Sequence, residues 1–172
     1  YFLKYFKELN PEDNYIIDPQ AQGKYYIPPA YKHVGASWLT KENTLRETEN
    51  VMRYFDAVLE AEHIPNDKNL IVVVYSQGVS VAMRYVAKRQ LQCEQMVLMS
   101  GGIPKELVAD DFKFLEGKAI TTMIYGTQDE YLNDERMQQE SNRVVELFGD
   151  KATIIPFDGK HIVNVELINN LV

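Results

Sequence analysis

Between Leu70 and Arg89 the hydrophobic pattern changes period without a linker. LIVVVY is an unbroken run of strand-forming residues, and in the VSVAMRYVAKR that follows the apolar positions recur at helical spacing. This predicts a strand over 70–75 with both faces buried, a turn at Ser76-Gln77-Gly78 and a helix over 78–90.

The same reading divides the rest of the chain. Phe2, Leu3, Phe6 and Leu9 predict a helix over 2–9 ended by Asn10-Pro11. Tyr15-Ile16-Ile17 predicts a short strand closed by Asp18-Pro19. Residues 19–40 have no clean period but carry Tyr25, Tyr26, Tyr31 and Trp38, which suits an ordered loop packed over something. Thr44 and Glu47 have capping-box spacing, ahead of a helix through Met52, Phe55, Val58 and Leu59 that breaks at Pro65 and Asn66-Asp67. Further strands are predicted at Gln95–Met99, Ala119–Tyr125 and Thr153–Phe157, with helices around Met137–Phe148 and over 162–171. Alternating strands and helices imply an α/β fold, a mostly parallel sheet with helices on both faces, in a single domain spanning residues 1–172.

Composition removes several function classes. Eighteen Lys and Arg against 25 Asp and Glu leave a net charge of −7 with no basic cluster, which argues against nucleic acid or an anionic membrane as partner. The longest apolar run, 70–75, is too short to span a bilayer. The first residues lack the cleavage site of a signal peptide. The single cysteine, Cys93, forms no internal disulfide, and no Asn-x-Ser/Thr acceptor occurs, so a cytoplasmic location is expected. No metal-ligand spacing, phosphate-binding glycine loop or dinucleotide fingerprint appears, and neither a metal nor a cofactor is implied. A homodimer is compatible with the sequence, which does not decide the oligomeric state.

Open parallel sheets bind ligands at the carboxyl ends of their strands. Ser76, the segment Gly126–Asp129 and His161 each follow a predicted strand directly, as does Asp18, so they should share one edge. A serine hydroxyl is a poor nucleophile unless a base takes its proton and an acid orients that base. The tight turn would lift Ser76 clear of the sheet and set the Gln77 amide at a helix N-terminus, where it can donate to an oxyanion. The acid is one of Asp129, Glu130 and Asp134. Plainer readings stand beside these: Ser76 as a strand-to-helix cap, His161 as a capping or solvated histidine, Asp129 as a turn residue. Trp38, Tyr26, Tyr31, Tyr131 and Leu132 either line a substrate pocket or are loop packing. His33 and His63 read as surface or structural residues and Cys93 as a core thiol.

Several segments then resemble one family. YSQGVS at 75–80 resembles the GFSQG elbow of the phospholipase/carboxylesterase branch of the α/β-hydrolases, and SGGIP at Ser100–Pro104 looks like that branch's segment after the next strand. YGTQDEYL resembles its acid loop, FDGKHIV its histidine loop, and GASWLTKE a segment of bacterial esterases of this type. The order Ser76, Asp129, His161 is the family's order, and the resemblance favours Asp129 as the acid. Two departures stand out. Val74 occupies a position usually held by glycine, and the segment supplying a second oxyanion amide is absent. The resemblance implies that this segment and one or more N-terminal strands would lie upstream of Tyr1. It also implies a serine esterase of small-molecule carboxylic esters: Ser76 attacks, His161 moves the proton, Asp129 orients His161, the Gln77 amide holds the oxyanion, and Trp38, Tyr131 and Leu132 contact substrate. The rivals are a catalytically degenerate hydrolase fold serving as a binding or scaffold module, and an acyl-thioesterase or acyltransferase using the same triad.

Overall fold

The computed structural model describes residues 2–65, 67–115 and 119–172, so the expected helix break at Asn66 lies outside the described residues. The chain forms two compact units, residues 1–68 and 69–172.

The N-terminal unit departs from its hydrophobic pattern. The expected helix over 2–9 is a 3₁₀ helix over Phe2–Phe6, followed by a turn in which the Leu9 amide donates to the Phe6 carbonyl. Tyr15–Ile17 has no regular secondary structure and no pairing strand among the described residues, and the Tyr15 hydroxyl donates to Glu62. The segment expected as a loop holds a hairpin, β1 (Gly23–Tyr26) and β2 (Val34–Ser37), in register Gly23↔Ser37 to Tyr26↔Val34. Tyr25, Tyr26 and Val34 are exposed, so no apolar alternation marks these strands. Helix α1 (Thr44–Glu62) is capped at Asn43 rather than Thr44, with no side-chain cap bond. Glu47 reaches back further than a capping box would, accepting from the Thr40 hydroxyl at 2.9 Å.

The second unit follows its pattern closely. It runs β3 (Ile71–Tyr75), α2 (Gln77–Arg89), β4 (Gln95–Met99), a 3₁₀ segment over Ala109–Leu115, β5 (Ile120–Gly126), α3 (Asp134–Phe148), β6 (Ala152–Phe157) and α4 (Val165–Leu171). The four strands form one parallel sheet in the order β3-β4-β5-β6. Tyr75 pairs with Met99, Met99 with Ile124 and Ile124 with Ile155, and β5 and β6 run two residues further, to Gly126 and Phe157. That register places the loops after them along one edge.

Met96 and Leu98 of β4 and Met123 of β5 pack with Val79, Met83 and Val86 of α2 and Val144 and Leu147 of α3. Burying each such side chain contributes about 1.5–3 kcal/mol. Strand β3 was expected to be buried on both faces; as an edge strand it is only half-buried throughout. Arg143 ties α3 to the wall of the site by donating to the Pro104 and Leu107 carbonyls.

Cys93 sits in this core, and burial, with the Glu94 charge adding, pushes its thiol up to about 11. An unfolded chain releases that proton near 9.0. Between these values the unfolded state binds fewer protons, so stability falls as pH rises, by at most about 1.4 kcal/mol per pH unit. Denaturant midpoints at about pH 8 and about pH 10.5 should therefore differ more in the wild type than in Cys93→Ala. Equal pH dependence in the two proteins would contradict this account.

Candidate active site

Ser76 joins β3 to α2 with φ 54° and ψ −123°, a conformation that costs a non-glycine residue about 1–3 kcal/mol. It occupies the cap position of α2, yet its side chain makes no cap hydrogen bond. A serine kept for capping would give its oxygen to an amide in the first helical turn. Here the hydroxyl oxygen lies 3.0 Å from Nε2 of His161. The plain capping reading therefore loses its physical basis.

The backbone around the elbow is tight on one side and roomy on the other. A Cβ on Gly101 would lie 2.3 Å from the Ser76 carbonyl oxygen, so the loop after β4 can approach this closely only with glycine there. A Cβ on Gly78 would meet Val74 Cβ at 3.8 Å, ordinary contact. Val74 thus fits without displacing the turn, and its side chain packs on the core.

His161 lies in the loop after β6, with Nδ1 2.7 Å from Asp129 Oδ2. Asp129 follows β5 and is buried, and its Oδ1 accepts from the amides of Tyr131 (2.8 Å) and Leu132 (3.2 Å). The acid and histidine loops are laced together: the Thr127 amide donates to the Phe157 carbonyl and the Gln128 amide to the Gly159 carbonyl. A Cβ on Gly126 would stand 2.3 Å from the Gly159 oxygen, so this lacing depends on glycine. Of the other carboxylates considered, Glu130 is exposed, with Oε2 3.5 Å from the His161 amide, and Asp134 heads α3.

With the Nδ1 proton donated to Asp129, Nε2 is left to accept from the Ser76 hydroxyl. Carboxylate, imidazole and hydroxyl in series is an arrangement that can deprotonate a serine as it attacks an acyl carbon. Gln77 is the first residue of α2, which puts its amide beside Ser76. The hydroxyl lies at an open cavity of about 370 Å³ walled by the segment 100–104, Tyr131, Leu132 and His161. Tyr131 is exposed and meets the His161 ring edge-on at 4.8 Å, whereas Leu132 is mostly buried.

Trp38 and Asp18 belong to the N-terminal unit. The Trp38 ring packs against Phe55 and Tyr54, and Asp18, which no strand precedes among the described residues, accepts from the Leu3 amide. Tyr75 is among the residues at the site that the sequence pattern does not single out. The Tyr75 hydroxyl donates to the His161 carbonyl at 2.8 Å, and the two rings lie 5.0 Å apart. The available signal was its place at the carboxyl end of a strand, directly before the serine.

Residues 14–165 match the family described as Serine hydrolase (FSH1). Solved structures share the fold at low identity. Acyl-protein thioesterase 2 of Zea mays is 14% identical, with a TM-score of 0.56 over 80% of this chain and 70% of that one. Arabidopsis thaliana SOBER1 is 16% identical, with a TM-score of 0.65 over 98% of this chain and 86% of that one. Esterase PE8 is 18% identical, with a TM-score of 0.56 over 80% of this chain and 71% of that one. The fold is that of the α/β-hydrolases. No curated protein sequence matches significantly.

Proposed function

This chain belongs to the serine hydrolase (FSH1) family, and from that premise we propose that it cleaves small carboxylic esters through Ser76, His161 and Asp129. The observation that carries the reading is the hydrogen-bond series from Ser76 Oγ through His161 to Asp129, at 3.0 and 2.7 Å. Ser76 Oγ attacks the ester carbonyl as its proton passes to Nε2, and Asp129 holds the resulting imidazolium at Nδ1. The Gln77 amide donates to the tetrahedral oxyanion. His161 then returns the proton to the departing alcohol, leaving an acyl-serine. Water, deprotonated by the same Nε2, releases the carboxylic acid. Tyr131 and Leu132 flank the bound substrate.

A fluorophosphonate probe tests this directly, since only an activated serine labels. Stoichiometric labelling at Ser76 with ester turnover is the expected result. An unlabelled, folded protein would return the chain to the scaffold reading. The Val74 departure that favoured a scaffold weighs less now that its side chain has room. Thioester hydrolysis is the second reading: the same acyl transfer serves thioesters, and the Zea mays structure is named a thioesterase. Rates on matched oxygen and sulfur esters separate the two.

Tyr75 acts in this scheme as a positioning residue, because its bond to the His161 carbonyl ties the serine's strand to the histidine's loop. Tyr75→Phe removes one hydrogen bond, worth about 1 kcal/mol. We expect kcat to fall roughly 2- to 10-fold with little change in KM. A change confined to KM would assign Tyr75 to substrate contact instead.

A further inference from the structure

Two arginines and a buried hydroxyl line the cavity beside Ser76, groups that a neutral ester does not require. Its wall includes Arg84 from α2, Arg136 from α3, and Ser100 at the end of β4. Each guanidinium is gripped along one edge by a carboxylate. Arg84 Nε donates to Glu106 Oε1, and Arg136 Nε to Glu140 Oε1, both at 2.6 Å. Burial alone would raise the Glu106 carboxyl, but the Arg84 hydrogen bond and charge hold it below the usual carboxylate range. Glu140 is itself buried and fixed by the Ile103 amide at 2.8 Å, so Arg136 is held from a rigid base.

The rest of the Arg136 fork is turned to the cavity wall. A Cβ on Gly102, which lines the cavity, would come within 2.7 Å of Arg136 Nη2. The Nη groups of Arg136 have no hydrogen-bond partner among the described residues. The Ser100 hydroxyl is buried in the same wall and likewise has no partner. A buried hydroxyl without a partner is costly unless something in the cavity supplies one. A guanidinium keeps its charge at any working pH, and its paired N–H groups match a planar two-oxygen anion.

From these positions we propose that the wall is a subsite for a second group on the substrate, a carboxylate, so that the enzyme selects half-esters and other carboxylate-bearing esters over neutral ones. This rests on the ester hydrolase reading above and names its substrate class. Arg136 takes the carboxylate through its Nη edge, Ser100 donates to it, and Arg84 adds charge beside it. The chemical step is unchanged. Water cleaves the acyl–oxygen bond, giving a dicarboxylic acid and an alcohol when the anion is on the acyl side, or a carboxylic acid and a hydroxy acid when it is on the alcohol side.

The test compares kcat/KM within two matched pairs: methyl hydrogen glutarate against methyl pentanoate, and acetoxybutanoate against butyl acetate. In at least one pair the anionic ester should be preferred roughly 10- to 100-fold, and the responding pair tells which side the carboxylate occupies. The preference should shrink in high salt and fall by about tenfold or more in Arg136→Gln. Arg136→Lys should restore it in part, having charge without the fork. Should Arg136→Gln misfold because Glu140 is stranded, Arg84→Gln reads the same ratio, since its partner Glu106 is exposed. Glutarate alone should bind the wild type by calorimetry and bind Arg136→Gln more weakly, a readout independent of turnover. Equal rates within both pairs, or a preference unmoved by both arginine substitutions, would overturn the subsite while leaving the hydrolase reading standing. Glutarate binding without probe labelling or ester turnover would sink the hydrolase reading instead. Loss of all three would end both.

Discussion

Ser76→Ala is expected to remain folded, to lose all fluorophosphonate labelling and to hydrolyse esters about 10⁶-fold more slowly than the wild type. The expectation of a folded variant follows from what the hydroxyl does in the resting protein. It makes no cap bond to α2, and its one described contact, 3.0 Å, is to His161. Alanine meets the same backbone strain at φ 54° as serine does, so the elbow changes little in energy. Chemistry changes completely, because no other group at this position can form the acyl intermediate. Circular dichroism would establish the fold, and initial rates with a chromogenic ester the loss. Were Ser76→Ala to keep most of the activity, the nucleophile would have to be sought elsewhere in the same cavity, where Ser80 and Ser100 carry hydroxyls.

The second large effect is expected at Asp129. Asp129→Asn should cut kcat about 10⁴-fold. The amide oxygen of asparagine can still accept from the Tyr131 and Leu132 amides, as Oδ1 does now. That choice turns the amide NH₂ toward His161 Nδ1, which must then be the acceptor. The ring proton moves to Nε2, and Nε2 can no longer take the proton of Ser76. The wild-type fold with the wrong tautomer is thus the predicted state, and a nitrogen-resolved NMR spectrum of the histidine would show it. Glu130→Gln, changing a carboxylate that approaches only the His161 amide at 3.5 Å, should be nearly silent. A silent Asp129→Asn beside a crippled Glu130→Gln would reassign the acid.

Legibility in the sequence followed how strongly each element is buried. Gln95–Met99 is a central strand with parallel neighbours on both sides, and its apolar run predicts its bounds without error. Strand β3 and helices α2 and α3 were found within a residue or a few, because their apolar positions face a core. The hairpin at 23–37 was missed since its side chains are mostly exposed and leave no periodic trace. Conversely, Tyr15–Ile17 has the composition of a strand but no strand to pair with among the described residues.

At the site the division runs along the same line. The places of Ser76, Asp129 and His161 after three strands were legible in the sequence alone, because strand runs and turn residues are local signals. Which carboxylate faces the ring was not. Asp129 and Glu130 are adjacent in the chain, and only the turn that hands the Asp129 oxygen two amides decides which of them is buried against His161. Tyr75, Arg136 and the Ser100 hydroxyl, which has no partner among the described residues, belong to this second class. Tyr75 and His161 stand 86 residues apart and Glu140 and Ile103 37 apart, yet each pair shares a hydrogen bond. Contacts of that span depend on how the four parallel strands are aligned, a matter of register across the sheet. No periodicity along a single segment records it.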